Sequence, residues 1–290
     1  MLPSFCVRPA LPDHALVEVL TAVRLWPVGN VCAGVTDADA ILAVEGDDRF
    51  VFRLASLSKV FTAWGILVAV EEGSVSLEDP VGPPGATLRH CLAHAAGYAF
   101  DGREPISRVG SRRIYSNTGI EVASEHVAAR TGIPFEDYLH EAVFTPLHLG
   151  DSALRGSPAH GVHSSARDTL AFAREILRPT LISPATAADA MATQYADLAG
   201  IVPGMGSFDP NPWGLGLEIH GDKYPHWMGS RTSSRTVGHF GGAGTMFWVD
   251  PDAGLALVAL TDRPFDEWAD IARAQWSALS DAVIAASSRR

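Results

Sequence analysis

The spacing of apolar residues predicts four elements in the N-terminal part of the chain. Residues 12–26 carry leucine and valine at helical spacing behind Asp13, which can cap a helix. Two short apolar runs, at 30–35 and 40–44, are separated by a TDAD turn and predict two adjacent strands. The next long stretch is apolar on most faces. Because a helix of this kind packs between other elements, we expect a buried central helix that starts near Ser56.

The middle of the chain differs from its ends. From about residue 85 to residue 205 helical spacing dominates, and no alternating strand pattern is convincing. The clearest helices of this part are predicted at 120–131, 134–143 and 166–177. Strand patterns resume at 214–219, 245–249 and 255–261, and a last helix is predicted at 266–286.

Strands near both termini with helices between them predict an α/β fold of the α+β type. The economical architecture is an antiparallel sheet built from both termini, flanked by helices, with an inserted all-helical region. In this division residues 1–80 and 206–290 form the sheet and its flanking helices, and residues 81–205 form the helical region. We expect the active site at the interface of the two.

Composition narrows the functional classes. The 290 residues include 22 basic and 33 acidic side chains, which gives a formal net charge of −11. A nucleic-acid-binding face needs clustered basic residues; we expect a small-molecule substrate instead and no nucleic-acid partner. No apolar stretch approaches the roughly 20 residues of a membrane-spanning helix. The first residues show no basic region followed by an apolar one, so we expect no secretory signal and a cytoplasmic location.

The cysteines and one histidine pair do not predict a metal site. Cys6, Cys32 and Cys91 are odd in number and far apart, which fits neither a disulfide framework nor a zinc cluster, so we expect buried, reduced thiols. His90 and His94 have the i, i+4 spacing of zinc ligands, but no glutamate lies between them and no third ligand is evident. We interpret both histidines as structural.

The first candidate for chemistry is the segment from Ser56 to Lys59. If Ser56 opens the buried helix, Lys59 lies one turn further on the same face. Burial lowers the pKa of an amine, so a neutral lysine can accept the serine proton and make Ser56 a nucleophile. The alternative is a helix-capping serine with a lysine whose head reaches solvent. The composition favours the first interpretation, because Lys59 is one of only two lysines in the chain, the other being Lys223.

The second candidate is Tyr115 with Asn117, directly before the helix predicted at 120–131. A phenol close to an ammonium group can exchange protons with a serine hydroxyl or a leaving group, and an amide can orient the lysine or a substrate carbonyl. The alternative is an ordinary turn, because Ser, Asn, Thr and Gly follow one another here.

The third candidate is His239, two residues before Gly241 in VGHFGGAGTMFWVD. Glycines here let the backbone approach a ligand closely. The H-x-G pattern alone has little weight, since it arises about once by chance in this composition.

Taken together, Ser56-x-x-Lys59, Tyr115-x-Asn117 and His239-x-Gly241 resemble the three motifs of the serine β-lactamase and penicillin-binding-protein superfamily. The class C β-lactamase-like branch, with its carboxylesterases and D-aminopeptidases, is the most similar part of it. The segments LASLSKVFTA, LRHCLAHAAGY and GHFGGAG look like the same family, and the similarity spans about residues 50–262.

This resemblance implies a β-lactamase-like fold and a mechanism. Ser56 would form an acyl-enzyme, Lys59 and Tyr115 would handle its proton, and Asn117 would position them. The backbone amides of Ser56 and Gly242 would form the oxyanion hole, and water would deacylate the serine with help from Tyr115. No metal or organic cofactor is needed.

One departure from the antibiotic-hydrolysing members shapes the expected activity. They usually have lysine where this chain has His239, and the lysine charge helps to hold a substrate carboxylate. A histidine is mostly neutral at pH 7, which favours ester or amide substrates without a carboxylate, although Arg231 or Arg235 could restore the charge. We therefore expect an esterase that acts on small carboxylic esters.

Other activities stay open. A D-amino-acid amidase, a DD-peptidase or a weak β-lactamase is the alternative among enzymes, and a penicillin-binding-type sensor without turnover is the alternative of another class. The sequence leaves the oligomeric state open. Five aromatic residues are candidates for an apolar acyl pocket, although aromatic side chains more often lie in the core: Tyr98, Phe100, Trp213, Phe247 and Trp248.

Overall fold

The computed structural model describes residues 13–288. Helices flank its sheet and are the longest elements of its middle part: α1 (His14–Leu20), α2 (Ser58–Glu71), α3 (Leu88–Leu92), α4 (Asn117–Thr131), α5 (Phe135–Leu139), α6 (Ala166–Leu177), α7 (Pro184–Met191) and α8 (Ala269–Ser287). Short 3-10 segments lie at Thr21–Leu25, Ala55–Leu57 and Phe265–Glu267, and a π-helical turn lies at His140–Phe144.

The strands come mainly from the two ends of the chain: β1 (Val31–Thr36), β2 (Ile41–Glu45), β3 (Val51–Arg53), β4 (Arg113–Ile114), β5 (Ala153–Leu154), β6 (Val162–Ser165), β7 (Gly200–Val202), β8 (Gly206–Phe208), β9 (Glu218–Ile219), β10 (Val237–Gly241), β11 (Thr245–Asp250) and β12 (Leu255–Thr261).

One six-stranded antiparallel sheet has the order β2-β1-β12-β11-β10-β9. Its centre joins the two ends of the sequence, because Val31 of β1 pairs with Thr261 of β12. Two three-stranded sheets, β3-β6-β5 and β4-β7-β8, lie beside it. The predicted fold class, with an antiparallel sheet from both ends of the sequence and flanking helices, is confirmed.

The sheet separates two hydrophobic cores. Strand β11 shows why its apolar run is continuous: Phe247 and Val249 belong to one core, whereas Met246 and Trp248 belong to the other. Successive side chains of a strand point to opposite faces, so both faces of β11 are buried. Helices α2 and α6 cover the first face, and α1 and α8 cover the second.

Helix α2 is the buried central helix that the sequence predicts. Every residue from Ser58 to Ala69 is buried, and its aromatic side chains pack on α6, with the rings of Phe61 and Phe172 stacked at 3.9 Å between centroids. The polar edge of Trp64 is satisfied as well, because its indole N–H donates to the Glu175 carboxylate. The regular α-helix begins at Ser58, two residues later than expected, because a 3-10 turn precedes it.

The expectation of an all-helical region at 81–205 needs a correction. This part contains β4, β5, β6 and β7 as well as its helices. These strands have two to four residues each, too few for an alternating pattern to stand out in the sequence. Of the strand expected at 214–219, only Glu218 and Ile219 form ladder pairs. The division into 1–80 with 206–290 and 81–205 stays a prediction.

Two of the three cysteines lie in the described part, and both Cys32 and Cys91 are buried and free. Burial raises the pKa of each thiol to about 12. Cys6 lies outside the described residues. Between residues 13 and 288, no helix combines the length and the apolar content that a bilayer crossing requires. The expected cytoplasmic location stays a prediction.

Candidate active site

Ser56 lies in a tight turn between β3 and α2. It is the second residue of the 3-10 turn Ala55–Leu57, and Ala55 before it has a left-handed φ of 49°. A residue with a side chain rarely adopts this conformation, and such strain concentrates at functional sites. The Ser56 N–H lies in the first turn of a helix, where amides have no acceptor within the helix. The turn places Ser56 in the wall of the adjoining cavity.

Lys59 is fully buried one turn further along. Its Nζ lies 3.1 Å from the Ser56 Oγ, 2.6 Å from the Asn117 Oδ1 and 3.0 Å from the Ala159 carbonyl oxygen. Burial lowers the pKa of Lys59 to about 7, and the more distant carboxylates of Glu121 and Asp101 oppose this shift. The amine is thus close to half neutral at pH 7, and the neutral form can accept the Ser56 proton.

Asn117 holds the lysine in place. It is the first residue of α4, whose N-cap Ser116 accepts a hydrogen bond from the Gly119 amide. The Asn117 side chain accepts from Lys59 through Oδ1 and donates through Nδ2 to the Asp101 carboxylate at 3.0 Å. Because an ammonium only donates and a carboxylate only accepts, these two partners fix the orientation of the amide.

Tyr115 lies above the lysine, with the Lys59 Nζ 4.7 Å from the centre of its ring. Burial raises the pKa of Tyr115, although the nearby Ser56 hydroxyl lowers it. The phenol is therefore protonated at pH 7 and available as a proton donor.

His239 faces the phenol from β10. Its Nδ1–H donates to the Phe240 carbonyl at 2.6 Å, so Nε2 carries the lone pair, and Nε2 lies 3.4 Å from the Tyr115 hydroxyl. Burial lowers the pKa of His239 to about 3, and the charge of Lys59 acts in the same direction. The imidazole is neutral at pH 7 and accepts from Tyr115.

The end of β10 lies directly against the Ser56 turn. A Cβ at Gly241 would lie 2.3 Å from the Leu54 carbonyl oxygen and 3.2 Å from the Ser56 nitrogen, so only glycine fits there. The Thr245 hydroxyl, which donates to the Leu54 carbonyl at 2.8 Å, also ties the two segments together. Gly242 follows in the chain and lines the same cavity as Ser56.

The cavity at these residues has a volume of about 200 Å³ and contains Ser56, Tyr115, His239 and Gly242 in its wall. The remaining wall is largely apolar and includes Phe100 and Trp213, as expected for two of the five aromatic candidates. The other three do not line it; Tyr98, Phe247 and Trp248 are buried in the cores.

Among residues 13–288, no arginine lines the cavity, and neither of the two arginines considered from the sequence is in its wall. Arg235 pairs with Asp252 at 2.8 Å, and the backbone N–H of Arg231 donates to Asp281. The wall does contain two carboxylates, those of Glu218 and Asp266. The idea that Arg231 or Arg235 restores the missing charge is therefore wrong.

Glu218 belongs to a buried polar cluster that the sequence analysis did not identify. Its carboxylate accepts from Lys223 at 2.6 Å, from His226 at 2.8 Å and from the Trp227 indole at 2.9 Å. Burial by itself raises the pKa of Glu218, but Lys223 and His226 outweigh this and hold the pKa well below its usual value. The rarity of lysine in the sequence is the one signal that could have singled out this cluster.

His90 and His94 do not share a ligand position. His90 contacts the Thr87 hydroxyl, whereas the buried His94 ring lies against Tyr115 and Trp213. Within residues 13–288, no three His, Cys, Asp or Glu side chains form a group that could hold a metal ion.

All six candidate residues thus lie around one place in the fold: Ser56, Lys59, Tyr115, Asn117, His239 and Gly242. Such an arrangement can perform acyl transfer, because it combines a hydroxyl, an adjacent amine, a protonated phenol and backbone amides at a helix start. The roles of the individual residues stay predictions.

Comparison with known proteins agrees with this geometry. The model of the beta-lactamase family matches residues 19–281. A crystal structure described as a beta-lactamase from Mycobacterium bovis is 46% identical, with a TM-score of 0.89, and the match covers 93% of this chain and 98% of that one. The unliganded simvastatin synthase of Aspergillus terreus is 18% identical, with a TM-score of 0.74 over 94% of this chain and 98% of that one, which shows a common fold.

Penicillin-binding protein 4* of Bacillus subtilis is 28% identical over a match that covers 35% of this chain and only 30% of that protein. The family model and the mycobacterial structure, in contrast, extend over nearly the whole described chain. The chain belongs to the beta-lactamase family, whose fold and acyl-enzyme hydrolase chemistry agree with the site.

Proposed function

We propose that this chain is a serine esterase that forms an acyl-enzyme through Ser56 and acts on small carboxylic esters without a carboxylate of their own. The observation that supports this most directly is the 3.1 Å contact between the Ser56 hydroxyl and the Lys59 amine. A hydroxyl becomes a nucleophile when an adjacent base takes its proton. The lysine is suited to this, because no carboxylate of the described residues is in direct contact with it to keep it charged.

In the proposed acylation step, the Ser56 Oγ attacks the ester carbonyl and its proton passes to the Lys59 Nζ. The negative charge that develops on the carbonyl oxygen is stabilised by the amides of Ser56 and Gly242. As the bond to the alkoxy oxygen breaks, the leaving alkoxide takes a proton from Tyr115, and Lys59 returns a proton to the phenol. Tyr115 acts as an acid here because its raised pKa keeps it protonated.

Deacylation reverses the roles. Water attacks the acyl carbonyl, its proton passes through Tyr115 and Lys59, and Ser56 leaves with a proton. Asn117 keeps the lysine amine directed at the serine in both steps, and His239 orients the phenol through the 3.4 Å contact. No proton has to leave the site between the two steps.

The charges of the cavity wall support an uncharged ester as the substrate. His239 is neutral, and Asp266 is exposed at the rim. A substrate carboxylate would therefore meet no fixed positive charge there, whereas a neutral ester has nothing to compensate. This is the physical reason for preferring esters to β-lactams, which carry such a carboxylate.

The proposal can be tested with p-nitrophenyl acetate, p-nitrophenyl butyrate and a fluorophosphonate probe. We expect steady turnover of both esters and labelling of Ser56, and loss of both in Ser56→Ala. Ser76→Ala, which removes an exposed serine outside the cavity, serves as the matched control and keeps both. Labelling without turnover indicates a sensor, and labelling that persists in Ser56→Ala contradicts the proposed nucleophile.

A weak β-lactamase is the second candidate, because the mycobacterial structure with 46% identity is described as a beta-lactamase. Nitrocefin separates the two activities. Under the esterase proposal its kcat/KM stays at least about 100-fold below that of p-nitrophenyl acetate, as a single missing ion pair with the substrate can cause. A kcat/KM for nitrocefin equal to or above that for the ester favours the second candidate.

A further inference from the structure

A second cavity, of about 550 Å³, adjoins the catalytic one, and Tyr115 lines both. The two cavities have three residues in common, Phe100, Tyr115 and Pro203, so these three form the divide between them. Beyond the divide the wall is formed by the loop that carries Ile106 and by strands β4 and β7. We call this second cavity the outer groove.

The outer groove is lined mostly by apolar side chains, three of which the fold leaves in solvent. Two arginines complete its wall: Arg112 is exposed, and the guanidinium of the buried Arg113 donates to backbone carbonyls such as that of Gln194. Ile106 is 67% exposed, Ile201 58% and Phe100 50%. Single exposed apolar residues are common, but three of them around one concave surface that continues into a catalytic cavity indicate a ligand. The groove has no established role in the proposed mechanism.

The backbone holds these side chains in place. Ile106 donates its N–H to the Gly97 carbonyl at 2.9 Å, and Tyr98 and Pro105 form an antiparallel bridge, which closes the loop next to Phe100. On the opposite side, Ile201 of β7 pairs with Ile114 of β4. The groove is therefore preformed, so the binding of a ligand costs little conformational entropy of the loop and strands.

The position of Tyr115 indicates which part of a substrate the outer groove receives. After attack by Ser56, the acyl group stays bound to the serine beside Gly242, in the smaller cavity. The leaving oxygen must face the phenol that protonates it, so the alcohol part of the ester points towards Tyr115 and the divide. The outer groove begins at that residue.

Building on the esterase proposed above, we propose that the outer groove binds the alcohol part of the substrate, and that this part is an extended apolar chain. The substrate is thus divided at Tyr115 into a small acyl group inside and a large apolar alcohol outside. In the reaction the bond between the carbonyl carbon and the alkoxy oxygen breaks, the alkoxide gains a proton from Tyr115, and the neutral alcohol leaves through the groove.

The first test uses alkyl acetates from ethyl to hexyl acetate. Each methylene that leaves water can raise kcat/KM by up to about fourfold, so we expect a total rise of at least about tenfold in the unmodified protein. In the double variant Ile106→Ser with Ile201→Ser the rise from ethyl to hexyl acetate falls below about threefold. Ile133→Ser is the matched control, since Ile133 is also an exposed isoleucine but lines neither cavity.

The ethyl esters of acids from acetic to hexanoic acid give the opposing series. If kcat/KM rises with acyl length and the double variant abolishes that rise, the groove holds the acyl chain and the proposal is overturned. It is overturned as well if the alcohol series gives no rise in the unmodified protein.

A binding measurement separates this proposal from that of the esterase. Ligand-observed NMR with 1-octanol reports groove occupancy without turnover, so it applies even if no ester is hydrolysed. We expect binding to the unmodified protein, to Ser56→Ala and to Ile133→Ser, and at least about tenfold weaker binding to the double variant. Equal binding of 1-octanol to the double variant and to the unmodified protein contradicts the groove.

Discussion

The chain contains two lysines, and both are buried, yet their surroundings differ. Lys223 lies 2.6 Å from the Glu218 carboxylate, and both side chains are about 1% exposed. In the part of the chain that the structure describes, no carboxylate contacts Lys59 directly; its partners are a hydroxyl, an amide oxygen and a backbone carbonyl. Burial disfavours the charged form of either amine, but only Lys223 has an opposite charge beside it that opposes this strongly.

This difference agrees with the proposed mechanism, in which Lys59 is a base, whereas Lys223 is a structural cation. At Lys223 the ion pair stabilises the charged form and fixes the edge strand β9 next to the cavity. At Lys59 the nearest carboxylates act only from a distance, so the amine loses its proton near pH 7.

The largest effect is expected when the Lys59 amine is removed. Lys59→Ala lowers kcat for p-nitrophenyl acetate by at least about 10³-fold, because Ser56 loses its base, and Ser56→Ala has a similar effect since such groups act as a unit. Steady-state kinetics at pH 7 measures both. Near-normal turnover in Lys59→Ala would refute the assignment of the base.

The next effect concerns stability at the other lysine. Glu218→Gln leaves the Lys223 charge buried without its partner and lowers the free energy of unfolding by about 3 kcal/mol. Urea denaturation at pH 7 measures the change. Adding Lys223→Met removes the unpaired charge and recovers most of the lost stability. If the double variant is no more stable than Glu218→Gln alone, the buried unpaired charge is not the cause of the loss.

A carboxylate can also be moved next to Lys59 without changing the net charge. In the double variant Asn117→Asp with Asp101→Asn the two groups exchange places, so Lys59 gains a partner like that of Lys223. The pKa of Lys59 rises, the amine stays charged at pH 7, and kcat/KM there falls about tenfold or more.

The pH profile of kcat/KM reports this change. In the unmodified protein kcat/KM rises with pH through about 7, because the neutral amine is the base and exists above its pKa. In the double variant the rise occurs at higher pH, and activity recovers towards pH 9. A profile with the same midpoint in both proteins would show that Lys59 does not control it.

The smallest effect is expected for Asp101→Asn alone. Asp101 raises the pKa of Lys59 only from a distance, so its removal shifts the rise of kcat/KM slightly to lower pH, and kcat/KM at pH 6 increases by less than about threefold. The same variant is the control for the exchange. A fall at every pH would mean that Asp101 acts through the orientation of Asn117 instead.

The local spacing of residues was enough to predict several helices and the Ser56–Lys59 pair. The apolar run of α2 indicates a buried helix. Residues three apart on a helix are neighbours, so Lys59 lies beside Ser56 independently of the tertiary fold. Helix α6 begins and ends as predicted, at Ala166 and Leu177, because its cap and its apolar stripe agree. Bringing Tyr115 and His239 to the same place needed the family resemblance, since nothing local connects residues 124 positions apart.

The spacing of residues in the sequence could not predict the contacts that distinguish the two lysines. Glu218 meets Lys223 through a loop whose path no pattern specifies, and Asp101 reaches Asn117 from an irregular segment. The roles of Phe100 and Phe247 were equally undetermined, since a phenylalanine in a cavity wall and one in a core have the same spacing. Short strands such as β4 form because neighbouring segments pair with them, so their own two residues carry no signal.

The glycines at 241 and 242 are neighbours in the sequence, yet saturation mutagenesis should give opposite results at the two positions. At Gly241 any side chain would collide with the backbone that presents the nucleophile, so even alanine should abolish turnover. At Gly242 a Cβ would meet nothing within 4 Å, so alanine and serine should be tolerated. An enzyme engineer can therefore diversify position 242 to reshape the entrance, while position 241 must be left untouched.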